Sequence, residues 1–324
     1  MSRILQKPIK LALIQLATTA DKLTNLERAR SKILEAVREH QPKIVVLPEC
    51  FNSPYGTKYF RGYAEVLRGQ AKVTGEEGAP RDSPTYDALS AIARETKTYL
   101  VGGSIPEIDP ATQKIYNTSL TFGPSGALLA THRKVHLFDI DIPGKIRFKE
   151  SEVLSPGNSI TVVDMTSEPD TDRKNEQSSM GDDVSRSVGK FAIAICYDIR
   201  FPELAMIAAR KHNAFLLLYP GAFNMTTGPL HWELQARARA MDNQCFVGIC
   251  SPARAPDAEY QAWGHSMIVG PDAKIMAEAD EKEATIVAEL RPETIEVVRK
   301  GIPIYEQRRF DIYADVSTVA PAKT

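Results

Sequence analysis

A thiol, a carboxylate and an ammonium each stand in or at the end of a short apolar run of this chain: Cys196, Glu49 and Lys134. Cys196 closes Lys190-Phe191-Ala192-Ile193-Ala194-Ile195 and opens the turn Tyr197-Asp198-Ile199-Arg200-Phe201-Pro202-Glu203, where Pro202 beside Glu203 reads as the first turn of a helix. The preceding run has the Ile, Ala and Phe texture of a strand covered on both faces. Lys43-Ile44-Val45-Val46-Leu47-Pro48-Glu49 is a second such strand and delivers Glu49 at its C-terminal end. Lys134 lies in Thr131-His132-Arg133-Lys134-Val135-His136-Leu137-Phe138, whose residues alternate like a strand edge. Strand ends in open α/β sheets are where ligands and chemistry collect. A nucleophile, a base and an oxyanion stabiliser are the parts needed to attack an amide through a covalent thioester. Taken singly, Cys196 reads as a core cysteine, Glu49 as a surface carboxylate and Lys134 as a solvated charge. The chemistry rests on their conjunction.

Longer stretches around these residues carry a resemblance. Leu47-Pro48-Glu49, Arg133-Lys134-Val135-His136-Leu137-Phe138 and the turn from Cys196 through Glu203 are similar to the nitrilase superfamily of carbon-nitrogen hydrolases. Glu49-Cys50-Phe51-Asn52-Ser53-Pro54-Tyr55-Gly56, Phe138-Asp139-Ile140-Asp141-Ile142-Pro143-Gly144-Lys145 and Tyr219-Pro220-Gly221-Ala222-Phe223-Asn224-Met225-Thr226-Thr227-Gly228-Pro229 resemble its omega-amidase branch. The resemblance runs from near Lys10 to near Tyr313. It implies a four-layer αββα sandwich, an α/β fold, and two subunits packed face to face as a homodimer.

The resemblance also implies roles. A free thiol has a pKa of about 8.5, so only a few per cent is thiolate at neutral pH. Glu49 would accept the thiol proton, and Lys134 with the backbone N–H of Tyr197 would stabilise the oxyanion. A second glutamate accompanies the triad in the family; Glu150 matches it, orienting Lys134 and the substrate amide, and Glu152 competes for that assignment. The substrate implied is a small monoamide of a short 2-oxo dicarboxylic acid, such as 2-oxoglutaramate or 2-oxosuccinamate. Its far carboxylate needs a cationic partner, and Arg200, on the nucleophile's own turn, can supply a paired contact. The competing reading pairs Arg200 with Asp198 or Glu203. Thr226 could add a hydroxyl or N–H contact, and Tyr55 would line the entrance. A deaminated-glutathione amidase, an N-carbamoyl amino-acid hydrolase and, less readily, a true nitrilase would use the same triad, and an idle scaffold that only binds partners is an answer of another class. All three chemical positions hold competent residues, which gives no sign of decay.

The whole chain fits a compact enzyme. Its 324 residues, 43% hydrophobic and 25% charged, suffice for a large core, and strand and helix signals alternate across every candidate break, predicting one domain over 1–324. A net charge of -1 with no Lys/Arg cluster argues against a nucleic-acid partner. The first apolar run is broken by Gln15, too early to span a bilayer, so no membrane segment is expected. Four cysteines without a secretory signal predict a reducing, cytoplasmic setting, with room for a mitochondrial pool. Cys245 and Cys250 suit two places in one strand better than a zinc knuckle. His132 and His136 are four apart, but the residues between them are strand-like and no HExxH pattern occurs. The resemblance implies neither metal nor cofactor.

Periodicity supplies the elements that must position these groups. Helices are predicted near 25–40, with Leu26, Ala29, Ile33 and Val37 on one face, and from Ser83-Pro84, with Ser83 as cap and Tyr86, Leu89, Ile92 and Ala93 inward. Two more follow at 203–212 and 230–243. Strands are predicted at 9–15, 43–47, 99–103, 116–122, 128–131, 160–163, 190–195, 214–219, 245–250, 264–269 and 284–289. Residues 166–188 are rich in Ser, Asp, Glu and Lys and cannot bury enough surface to offset their ordering entropy, predicting a mobile surface insertion. Residues from 301, with Ile302-Pro303-Ile304-Tyr305-Glu306-Gln307-Arg308-Arg309, resemble the family's extended arm, and the last four residues read as a frayed tail.

Overall fold

Short aliphatic runs alternating with amphipathic stretches resolve into two sheets with helices outside both. The computed structural model describes residues 3–67, 83–144, 146–166, 187–313, 315 and 317. In chain order, the first half comprises β1 (Ile9–Gln15), α1 (Lys22–His40), β2 (Ile44–Val46), α2 (Thr57–Tyr63), α3 (Pro84–Thr96), β3 (Tyr99–Val101), β4 (Ile105–Ile108), β5 (Ile115–Phe122) and β6 (Leu128–Arg133). A hairpin of β7 (Asp139–Ile142) and β8 (Ile146–Lys149) separates it from β9 (Thr161–Thr166), β10 (Ser187–Ile193), α4 (Pro202–Lys211), β11 (Ala214–Pro220), α5 (Gly228–Asn243) and β12 (Phe246–Cys250). The chain continues through β13 (Met267–Val269), β14 (Ile275–Glu278), β15 (Ala284–Leu290), α6 (Pro292–Gly301) and α7 (Ile304–Gln307).

One sheet runs β15-β1-β2-β3-β5-β4 with β6 added on β5, and the other runs β14-β13-β12-β11-β10-β9. The middle of each is parallel: β1, β2 and β3 in the first, β10, β11 and β12 in the second. Parallel strands need helical crossovers, and α1, α3, α4 and α5 supply them. Leu11, Leu13, Ile44 and Val46 of one sheet share a dry layer with Leu216, Leu218, Phe246 and Ile268 of the other. On the outer faces, Ala12, Ile14 and Val45 pack on α1 and α3, while Leu217, Val247 and Ile249 pack on α4 and α5. The layer order is therefore αββα.

Local chemistry sets the boundaries. Asp21 caps α1 by accepting the Thr24 N–H at 2.7 Å, so the helix begins at Lys22, earlier than periodicity indicates, and it buries Ala36 more completely than Val37. Ser83 does not cap α3 with its side chain. Buried Glu65 does so from outside the helix, accepting the Thr85 N–H at 3.1 Å and the Ser83 hydroxyl at 3.3 Å. The strand expected from Gly264 starts only at Met267, because Gly264 and His265 have left-handed φ of 79° and 56°. Segment 166–188 is not an insertion at its ends: Thr166 and Ser187 pair across antiparallel β9 and β10, and Val188 lies within β10. Residues 167–186 lie outside the described residues, as does the expected tail at 321–324. The arm expected from 301 starts with Gly301 still inside α6 and passes through α7; its Tyr305 carbonyl accepts from Arg210 at 2.5 Å.

Candidate active site

Glu49 leaves the end of β2 through Leu47 and Pro48. Gly103, at φ 57°, lets the chain after β3 press on this turn: a Cβ there would lie 2.0 Å from the Pro48 carbonyl oxygen. Ser104 finishes the anchor, giving its N–H to that oxygen at 3.2 Å and accepting the Cys50 N–H at 3.1 Å. Lys134 is the first residue beyond β6, and its side chain is fully buried. Cys196 follows β10 by two residues and opens a tight turn at φ 46°, a left-handed conformation that non-glycine residues rarely adopt. Gly221 makes room for that bend, since a Cβ there would sit 3.2 Å from the Cys196 Cα.

The three side chains converge. Lys134 Nζ lies 3.2 Å from Glu49 Oε1 and 2.8 Å from Glu150 Oε2, and all three residues are shut off from solvent. Burial alone would depress the Lys134 ammonium, but the charges of Glu150 and Glu49 outweigh it and hold its pKa well above the ordinary lysine value. Burial raises Glu49, with Lys134 opposing and Glu150 adding to the rise. Its Oε2 meets no hydrogen-bond partner among the described residues. Burial and then the Glu49 charge push the Cys196 thiol up, so Cys196 rests as a thiol beside a carboxylate able to take its proton. The Ala222 N–H approaches Sγ at 3.5 Å.

Glu150 and Glu152 part company. Glu150 is buried, accepts the Phe138 N–H at 2.7 Å and the Tyr55 hydroxyl at 2.7 Å, and grips Lys134. Glu152 is 60% exposed and faces Arg147. Tyr55 lines a cavity of about 360 Å³ that also reaches Glu49 and Ala222. A larger cavity of about 450 Å³ lies between Arg3 and α6 and is lined by neither Glu49 nor Cys196, so the smaller chamber is the one that reaches the converging side chains. Beside Cys196 a narrow compartment is lined by Tyr197, Arg200, Phe223 and Thr227. Thr226 is one position earlier; its N–H already goes to Asn224 Oδ1 at 3.0 Å, which leaves its hydroxyl. Arg200 makes no ion pair with Asp198 or Glu203; its Nη1 meets His231 Nδ1 at 3.2 Å.

Four residues that sequence reasoning passed over complete the site. Asn117, buried in β5, donates from Nδ2 to Glu49 Oε1 at 2.8 Å, and its carbonyl accepts the Lys134 N–H at 2.8 Å. A lone amide amid the β5 run was the available signal. Asp198 accepts the Ile195 N–H at 2.9 Å, the His136 N–H at 2.8 Å and His136 Nδ1 at 2.8 Å, with His132 Nε2 at 3.3 Å. Burial would raise this carboxyl, yet hydrogen bonds from His132 and His136 prevail and hold it far below the usual carboxylate range. Asp198 thereby ties the Cys196 turn to the Lys134 loop, and this explains the two histidines. Among the described residues, no group of three His, Cys, Asp or Glu is arranged for a metal ion. Arg239 on α5 gives Nε to the Ile199 carbonyl at 2.8 Å and Nη2 to that of Arg200 at 3.2 Å, gripping the same turn from below. Tyr260 packs 4.5 Å from the Tyr55 ring and hydrogen-bonds to the Ala222 carbonyl, walling both chamber and compartment.

An αββα sandwich with a cysteine, a lysine and two glutamates gathered at its strand ends holds the groups that a hydrolase with a covalent nucleophile would need. The chain belongs to the carbon-nitrogen hydrolase family, whose model matches residues 10–300. It is 50% identical over 320 residues to "Omega-amidase NIT3" of Saccharomyces cerevisiae, covering 98% of each chain. It is 47% identical over 305 residues to "Omega-amidase NIT2" of Xenopus tropicalis, covering 94% of this chain and 96% of the relative. The crystal structure of Saccharomyces cerevisiae Nit3, a member of branch 10 of the nitrilase superfamily, superposes with a TM-score of 0.79 at 48% identity over 95% of this chain and 99% of that one. The protein is thus an enzyme that hydrolyses carbon–nitrogen bonds. Among the described residues no helix is long and apolar enough to cross a membrane.

Proposed function

We propose that the protein is an omega-amidase that hydrolyses the terminal amide of short 2-oxo dicarboxylic acid monoamides through a thioester on Cys196. The reading is carried by Arg200, a cation whose Nε is buried without a partner and which shares its surroundings with Cys196, so that a carboxylate is the complementary group for a substrate whose amide meets the thiol. The names of the relatives above support the omega-amidase reading. Cys196 Sγ bonds to the carboxamide carbon as Glu49 takes the thiol proton, and the carbonyl electron pair moves onto oxygen beside Lys134 and the Tyr197 N–H. Collapse breaks the C–N bond, Glu49 protonates the nitrogen, and ammonia departs. Water then adds to the thioester as Glu49 removes its proton, and the diacid leaves as the sulfur regains a proton. Glu150 holds Lys134 in place, with Tyr55 and Phe138 N–H holding Glu150.

Mass spectrometry of enzyme quenched during turnover of 2-oxoglutaramate is expected to find the acyl group on the peptide containing Cys196. Steady-state rates are expected to favour this substrate over deaminated glutathione and carbamoyl-β-alanine. A clear preference for either of the latter would replace the substrate assignment, and an unmodified Cys196 would remove the thioester.

We further propose that a second copy covers α5. Leu230, Leu234 and Met241 fall on one helical face and are 64%, 64% and 53% exposed, while Trp232, Ala236 and Ala240 are buried on the other. Such an apolar face opposite a core-facing one is a self-complementary surface for a two-fold pair. Sedimentation velocity is expected to give a dimer for the native chain and a monomer for Leu234→Glu; an unchanged monomer for both would refute the pairing.

A further inference from the structure

Arg200 does not stand in its compartment unsupported. Its guanidinium lies 5.4 Å from the centre of the Tyr197 ring and 4.9 Å from that of Phe223, and these faces fix the plane but not the rotation of the head within it. One atom fixes the rotation: His231 Nδ1, 3.2 Å from Nη1. A guanidinium has five N–H donors and no acceptor and stays protonated, so Nδ1 must be the acceptor and His231 the neutral tautomer with its proton on Nε2. Burial, and then the Arg200 charge, hold this imidazole below the ordinary histidine value, which keeps Nδ1 free of a proton.

The corner that is held matters. Nη1 is the nitrogen remote from the Nε edge, and a carboxylate takes a guanidinium in two parallel bonds along either its Nε–Nη2 edge or its Nη1–Nη2 edge. His231 takes one of the two Nη1 N–H groups and so engages the second edge, leaving the Nε–Nη2 edge untouched. The first stays open, and its Nε is buried with no partner. His231 itself is fixed by the start of α5: Asn224 Oδ1 accepts the N–H groups of Thr226 and Thr227 and the Thr227 hydroxyl, and the His231 N–H goes to the Thr227 carbonyl at 3.0 Å.

We propose that His231 is a positioning residue that sets the preference for substrates with a far carboxylate, by tethering Arg200 through Nη1 so that its Nε–Nη2 edge meets that carboxylate. The inference rests on the reading of Arg200 given above. It assigns His231 no contact with the reacting atoms, so its loss acts on KM for the charged substrate and on selectivity before kcat.

The test compares succinamate with butyramide, which has a methyl where succinamate has its carboxylate. His231→Leu is expected to raise KM for succinamate about tenfold and to lower the succinamate-to-butyramide preference by a similar factor, with kcat for succinamate changing by less than about threefold. His231→Asn, whose side-chain oxygen can replace Nδ1 as acceptor, is expected to recover most of the lost preference. Should the leucine variant melt early, His231→Ala is measured in its place with the same expectation. An unchanged preference in His231→Leu, beside a lost preference in Arg200→Met, overturns the role of His231 and leaves that of Arg200 standing. Equal losses on both amides also overturn it, as the mark of a merely structural residue. If Arg200→Met keeps the preference, the reading of Arg200 itself fails.

Discussion

Cys196→Ser is expected to lower ammonia release from 2-oxoglutaramate by at least about a thousandfold, because a hydroxyl is a far weaker nucleophile and a far weaker acid than a thiol. The local geometry leaves no substitute. Cys50 is also buried and also in a left-handed conformation, but it follows Glu49 directly and lies outside the compartment that Cys196 shares with Arg200. Serine is nearly isosteric with cysteine, so the bend at φ 46° and the contact with Gly221 persist, and the melting temperature is expected to stay within a few degrees of the native value, about what a surface-scale change costs. Ammonia release by a coupled assay and melting followed by circular dichroism check the two halves. Turnover near the native rate would remove the sulfur from the mechanism.

Lys134→Met carries a double penalty. Loss of the ammonium at the developing oxyanion is expected to reduce kcat by about 10²–10³-fold. It also leaves Glu49 and Glu150 facing each other in a sealed site with their shared counter-charge gone, and breaking a buried ion pair in this way costs about 3–5 kcal/mol of stability. The pH dependence has a definite sign. Burial already raises Glu49 in the folded native chain, and removing Lys134, which opposes that rise, lifts it further. A carboxyl whose folded pKa exceeds its unfolded value of about 4.3 makes the folded state bind extra protons, so stability falls as pH rises through the folded pKa. The variant should therefore lose more melting temperature at pH 8 than at pH 5, measured against the native chain at each pH. An equal loss at both values would mean that the two glutamates are not charged together.

Which parts of the site were readable along the chain follows from how each residue is placed. Glu49 and Cys196 end apolar runs whose strand character is local, and a strand end announces its own position. Lys134 was visible as a charge in an alternating stretch, though not as the first residue past a strand end. Its burial depends on Glu150, sixteen positions on, and that match came from resemblance rather than from any pattern. Asn117, Asp198, Arg239 and His231 left little trace, because their meaning lies in partners separated by long sequence distances: Asn117 meets Glu49 across 68 positions and Asp198 meets His132 across 66. The fold divides the same way. Long uniform runs such as Ala214–Pro220 are plain, whereas β4, β7, β8 and the two C-terminal helices are short or polar and take shape from what they pack against. The polar composition of 166–188 hid the fact that its two ends complete a pair of strands.

The inner side of α5 grips the carbonyls of Ile199 and Arg200 through Arg239, while three large apolar side chains crown its outer side only one helix diameter away. The face proposed for pairing and the grip on the Cys196 turn are therefore separated by a single rod of backbone. The proposed partner copy would thus meet this helix on the side away from the Cys196 turn, without lending that turn a single atom.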